Sequence, residues 1–275
     1  MGALFGLSGV IAKHLSGFLD PYQVVEYRFA IALLGAVLLL LLTRQKLSFS
    51  SVPRHILFLY AVTFPLSVIL FTLSIFHGSV AIAVFSFYTA TLASSFILGR
   101  VFFGEKVTAL KAAALVLMLL AVTCFTDPLG YFEIGPGLLL GLASGVVQGV
   151  ASCFQKTVSG STSRIGLLVL QCLAGTAVAA LVIVVQGSSL TPSLGATNWL
   201  IVIAFGLSML AIAYLFLVGF KYVNLNTGSI LVSSELLFGP LLAFVLLGEG
   251  LAFTACLGGA LVAFAGVLAS LGPEG

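Results

Sequence analysis

LFGLSGVIAKHLSG at residues 4–17 reads position for position onto VQGVASCFQKTVSG at residues 147–160. Gly6 meets Gly149, Lys13 meets Lys156, Ser16 meets Ser159 and Gly17 meets Gly160, at a constant offset of 143. Toward the end of each half, RVFFGE (100–105) lies over FVLLGE (244–249), so that Glu105 and Glu249 stand 144 apart. A register that barely drifts across most of each half marks an internal duplication. The fold then follows from what one copy contains.

Each copy contains membrane spans. Of 275 residues, 61% are hydrophobic and 7% charged, with a mean hydropathy of +1.27. A soluble domain carries about 25% charged residues. So few charges cannot cover a water-facing surface, and the solvent for most of this chain is lipid. Apolar runs of about 20 residues, the length that crosses a bilayer, fall near 2–19, 22–43, 55–76, 79–99, 107–126, 135–157, 163–186, 198–220, 226–247 and 251–271. These predict an all-α membrane protein of about ten transmembrane helices. They make one integral unit of two five-helix repeats, 1–130 and 131–275. An odd number of spans per copy sends the second copy in from the opposite side, which makes the repeat inverted. Secondary transporters are commonly built this way, because two pseudo-symmetric halves can alternate around a midplane site.

Basic residues set the orientation. With the amino terminus inside, Arg44, Lys46, Arg54, Arg100, Lys106, Lys111, Lys156, Arg164 and Lys221 all fall on the inner side. Asp20, Asp127, Glu133 and Glu249 fall on the outer side. The reading is therefore both termini cytoplasmic. The apolar start reads as a first span and not as a removable signal. Short loops throughout point to a bacterial or archaeal plasma membrane.

Several classes are disfavoured. No basic patch interleaved with aromatics occurs, so nucleic acid is not an expected partner. Cys124, Cys153, Cys172 and Cys256 lie singly in apolar runs, as small core-filling residues do. No HExxH, no GxSxG and no clustered His/Cys/Asp set appears, so no enzyme chemistry, metal or cofactor is expected.

Charges inside lipid cost about 2.5–3.5 kcal/mol on insertion scales, so each needs a reason. Glu235 is the deepest, roughly 14 Å from the inner face if its span is one straight helix. It could meet a substrate ammonium, carry a coupled proton, or serve as a structural hydrogen-bond donor between helices. Lys13 and Arg28 lie roughly 9 Å below the outer surface. A Lys13–Glu26 or an Arg28–Asp20 pair fits that outer mouth, with snorkelling of the long side chains as the alternative. Lys156, the repeat mate of Lys13, falls near the inner mouth as a gate, a substrate contact or a positive-inside anchor. Gln148, Gln171 (the mate of Arg28) and Tyr88 are the strongest neutral candidates for a wet cavity, ahead of Thr91, Ser94, Ser233 and Ser234. Gly137, Gly141, Gly145 and Gly149 form a small-residue ridge, suited to close packing or to sliding.

With these residues in view, the chain resembles the drug/metabolite transporter superfamily, and in particular its ten-helix EamA-type members. The resemblance rests on the span count, the duplication and the Gly-Glu ends of spans four and nine in FILGRVFFGEKVT (96–108) and PLLAFVLLGEGLAFT (240–254). It also rests on Glu235, fourteen residues before the second Gly-Glu glutamate, and on Lys13 and Arg28 at their family places. The family usually has proline where this chain has Leu236 and Leu92, and Pro240 stands four residues later, so a helix break is expected to be displaced. The resemblance implies spans five and ten outside the cavity, where Ala255, Gly259 and Ala263 could support packing or a homodimer.

The expected function is secondary transport of a small polar or zwitterionic metabolite, with an amino acid as the model cargo. Lys13, Arg28 and Glu235 supply both signs of charge for a zwitterion. The alternative is a lipid or lipid-linked-sugar translocase of the same fold, which predicts a laterally open apolar slot.

Overall fold

The computed structural model describes residues 2–45, 49, 51–77, 80–125, 135–160, 163–187, 194–247 and 253–271, and within these the side chains of residues 9, 10, 13, 80, 81, 85, 125, 239, 240, 243, 246, 247 and 255 lie outside the description. The described chain is helical throughout: α1 Gly2–Leu15, α2 Pro21–Thr43, α3 Arg54–His77, α4 Val80–Phe103, α5 Ala109–Phe125, α6 Pro136–Val158, α7 Arg164–Val185, α8 Ala196–Tyr222, α9 Leu225–Val232, α10 Glu235–Leu247 and α11 Phe253–Leu271. Six of these are long and apolar enough to cross a membrane, from α2 to α4 and from α6 to α8, with shorter apolar helices in α5 and α11.

The sequence predicts one continuous helix over 226–247. The structure breaks it at Ser233–Ser234, into α9 and α10. Ser233 turns its hydroxyl back onto the Ser229 carbonyl (2.9 Å), and Leu236 N and Leu237 N bond three residues back instead of four. Such local competition and tightening interrupt a helix without a proline. The break puts Glu235 at the start of α10 instead of in mid-helix.

Packing follows the duplication. α1 packs on α8 and α10, and its repeat mate α6 packs on α3 and α4. α2 and α7 pack on each other, as do α5 and α11. Each half thus lends its first helix to the other half.

The inside is more polar than the outside. Leu34, Leu42, Phe102, Val185 and Phe253 are exposed, while Ser67, Ser74, Ser144, Gln148, Gln171 and Asn226 are buried. Lipid tails are as apolar as leucine, so helices there associate through close packing and hydroxyl bonds. Ser144 Oγ donates to the Ser67 carbonyl (2.8 Å) between α6 and α3. Ser8 and Ser208 hydroxyls pair at 3.0 Å between α1 and α8, the repeat-related helices. Such bonds are individually weak, about 0.6 kcal/mol. Ser144→Ala should therefore lower the unfolding free energy in bicelles by about that amount, and a loss several times larger would contradict this packing account.

Candidate functional site

A small cavity of about 30 Å³ lies where α1, α4, α6, α8, α9 and α10 meet. Helical spacing supplies its polar wall. Tyr88 and Thr91 project from α4, Gln148 and Ser152 from α6, Ser229 from α9 and Ser233 from its C-cap, at separations of three or four residues that share a face. The opposite wall is aromatic. Phe216 and Phe220 stack at 5.6 Å between ring centroids, and Phe5 meets Phe216 edge-on at 5.6 Å.

Glu235 is the cavity's carboxylate. It owes its place to the helix break, which turns its side chain toward α4, where the Tyr88 hydroxyl donates to Oε2. Gly2 of α1 lies close against this break; a Cβ there would come within 2.9 Å of Glu235 N. Arg28 on α2 does not line the cavity, though its charge and that of Glu235 act on each other. Its guanidinium lies over the Phe205 ring at 4.5 Å, and among the described residues its buried Nε has no hydrogen-bond partner. The cavity thus combines an anionic end, a nearby cation and an aromatic wall.

A second polar centre closes the end of the bundle reached by the C-terminal ends of α4 and α6. Gly104, at φ +64°, ends α4 in the left-handed region, where glycine meets no Cβ penalty. Glu105 N then bonds back to the Gly99 carbonyl (3.1 Å), which turns the carboxylate into the protein. There it is 3% exposed. Oε1 accepts from Lys156 Nζ at 2.6 Å and from Leu225 N at 2.6 Å, and Oε2 accepts from Asn226 N at 3.0 Å. Lys156 Nζ also donates to Asn224 Oδ1 (3.3 Å) and lies over the Phe103 ring. One carboxylate thus caps two orphan amides of α9 and neutralises a lysine from α6.

The structure brings Tyr88, Gln148 and Glu235 together at the cavity, with Arg28 in electrostatic reach. Lys156 sits apart from them, on Glu105. Gln171 is fully buried on α7, where its Oε1 accepts from Tyr60 (3.4 Å), and it does not line the cavity. Gln171 on Tyr60 and Arg28 on Phe205 are nonetheless counterparts, since α7–α3 and α2–α8 are repeat-related pairs. Lys13 stands on α1, but its side chain lies outside the description, as does Glu249. The Arg28–Asp20 pair does not form. Asp20 Oδ1 instead accepts from Tyr22 N and Gln23 N, both at 2.9 Å, and so caps α2 in a capping box with Gln23.

Sequence reasoning left Glu105 without a role of its own. The signal was present, in a glycine that ends a helix followed at once by an acid, but the acid's partners are far away in sequence. The aromatic wall carries no motif at all.

A family model described as the EamA-like transporter family matches residues 1–126 and again residues 135–271. The chain belongs to the EamA-like transporter family. EamA-like transporters form a branch of the drug/metabolite transporters, so this is an integral membrane protein and a transporter of small molecules. A solved crystal structure aligns with 98% of the chain and 94% of its own length, at a TM-score of 0.82 and 19% identity, which shows a shared fold. No curated protein matches the sequence.

Proposed function

We propose that this EamA-like chain is a secondary transporter of a small polar or zwitterionic, amino-acid-like metabolite, working by alternating access. In this reading about ten passes cross a prokaryotic plasma membrane, in two inverted five-helix repeats (1–130 and 131–275) with both termini cytoplasmic. The broken span α9–α10 counts as one pass. Broken helices at the midplane are where such carriers hold substrate.

The cavity is the observation that carries the proposal. At about 30 Å³ it has room for roughly two waters, and its lining must part to reach the roughly 300 to 1,000 Å³ of a ligand pocket. Glu235 suits an ammonium, Arg28 a carboxylate, and Phe216 and Phe220 an apolar side chain. The Tyr88 hydroxyl holds Glu235 in place until an ammonium competes for it.

The test is a thermal-shift screen of purified protein against amino acids, organic anions, sugar phosphates and lipid headgroups. A ligand that binds the folded state at a hundredfold excess over Kd stabilises it by about 2.7 kcal/mol. A zwitterion should produce this shift in wild type and not in Glu235→Gln. The same shift in both proteins would remove Glu235 from the site.

One observation favours the lipid-translocase alternative. An open apolar groove of about 330 Å³ runs beside the helix break, lined by Ile230, Leu231 and Leu237 on one side and Val262 and Val267 on the other. Ser234, next to Glu235, faces it. No response to any soluble metabolite, together with stabilisation by a lipid headgroup, would transfer the proposal to that reading.

A further inference from the structure

Glu105 is more than a helix cap, because of where its partners sit. α4 and α6 pack against each other and bring Glu105 and Lys156 to one end as a fixed pair. The three residues they hold, Asn224, Leu225 and Asn226, form the turn from α8 into α9. The bonds thus run from one packed group of helices to another, across the seam beneath the cavity.

The seam contains polar groups with nothing to bind. Asn226 is fully buried, and among the described residues neither Oδ1 nor Nδ2 has a hydrogen-bond partner. It faces α4 closely: a Cβ on Gly99 would come within 2.5 Å of its Oδ1 and 2.8 Å of Glu105 Oε2. Ser95 Oγ, one turn before Gly99 on α4, is also buried and unpartnered, and so is Ser229 Oγ, one turn from Asn226 and on the cavity wall. A buried amide without partners costs free energy in a static core. The same groups are well used when water or a polar solute passes between them.

We infer that Glu105, Lys156 and the first turn of α9 form the cytoplasmic gate of the transport route, and that Asn226 lines the passage behind it. The gate is shut in this structure. It opens when the α8–α9 turn leaves Glu105, which exposes Asn226 and Ser95 and joins the cavity to that side. A seam of this kind favours a hydrophilic solute over a lipid, since acyl chains gain nothing from amides and hydroxyls. That last point rests on the proposed function. The gate itself does not depend on which cargo is carried.

Cysteine accessibility tests the gate without a substrate. The parent carries Asn226→Cys, with Cys124, Cys153, Cys172 and Cys256 changed to Ala, in inside-out membrane vesicles. A membrane-impermeant thiosulfonate is added and the labelling rate of residue 226 is measured. Labelling should be slow in the parent. Glu105→Gln and, separately, Lys156→Met should raise the rate about tenfold, the effect of weakening one charge-assisted hydrogen bond across the seam. Lys156→Arg keeps the ion pair and should stay within about twofold of the parent. Monodisperse elution of each variant establishes that it is folded. Fast labelling of the parent, or no rise in either Glu105→Gln or Lys156→Met, would overturn the gate. Neither result would decide the thermal-shift test for a cargo, so the two proposals can fail separately.

Discussion

Glu105→Ala should lower the unfolding free energy by about 3–5 kcal/mol, the cost of breaking a buried ion pair by removing one partner. The wild-type carboxylate is 2% exposed and satisfies three donors. Without it, Leu225 N and Asn226 N become orphan amides at the start of α9 and lose their acceptor in a site closed to water. Lys156 keeps its charge. At 17% side-chain exposure, it can swing part of the way to the bundle's end, as long cationic side chains do. That relief places the expected value nearer 3 than 5 kcal/mol. Glu105→Gln retains one good acceptor and should lose about half as much. The neighbouring Lys106 is exposed, and Lys106→Ala should change stability by no more than about 0.5 kcal/mol. Reversible unfolding in bicelles or graded SDS measures all three. A loss under about 1 kcal/mol for Glu105→Ala, the range of surface pairs, would mean that this carboxylate is solvated and that its bonds contribute little.

The fold was far more legible in the sequence than the site, for a physical reason. Lipid imposes length and apolarity on every crossing helix, and a duplicated gene imposes the same order twice, so Lys13 on Lys156 and Glu105 on Glu249 suffice to expose the plan. Boundaries came within a few residues for α2, α3, α6 and α7. The break at Ser233–Ser234 was not legible, because serine in a membrane helix normally bonds back without ending it. Within the site, Glu235, Tyr88 and Gln148 stood out as polar residues in apolar runs, and they share one cavity. Gln171 stood out for the same reason and went instead to Tyr60. Depth along a helix does not say which neighbour a side chain faces. Phe216 and Phe220 were invisible, since aromatic residues are ordinary in a lipid-facing chain. Glu105 was hidden by distance in sequence, 51 residues from Lys156 and 120 from Leu225.

Gly145→Leu should leave little folded protein, and the reason also decides what the glycine ridge is for. Gly137, Gly141, Gly145 and Gly149 present one stripe of α6, with α3 and α4 lying on it. Ser74 Oγ donates to the Gly137 carbonyl (2.6 Å), and Thr91 Oγ1 to the Gly145 carbonyl (3.3 Å). A Cβ at residue 145 would stand 2.7 Å from Ala90 Cβ and 2.9 Å from Thr91 N. Thr91 N belongs to the helix backbone and cannot yield unless α4 moves as a whole. Moving α4 would draw Tyr88 away from Glu235 and Glu105 away from α9, so one misfit would undo both polar centres. Gly145→Ala places the same Cβ against the same backbone and should also leave little folded protein. The exposed neighbour Val146 (49%) provides the control, and Val146→Ala should elute and melt as wild type does. Ser74→Ala separates the two uses of the ridge, since it removes one hydroxyl bond across it and should fold. If α3, α4 and α6 move as one body, as the gate requires, Ser74→Ala will lose about 0.6 kcal/mol of stability while flux per folded molecule and ligand-induced stabilisation stay normal. If the ridge is instead a sliding surface, a bond broken at every cycle is gone and flux will rise above wild type. The hydroxyl bonds across the ridge favour the first outcome, because each would have to break at every cycle of a sliding mechanism.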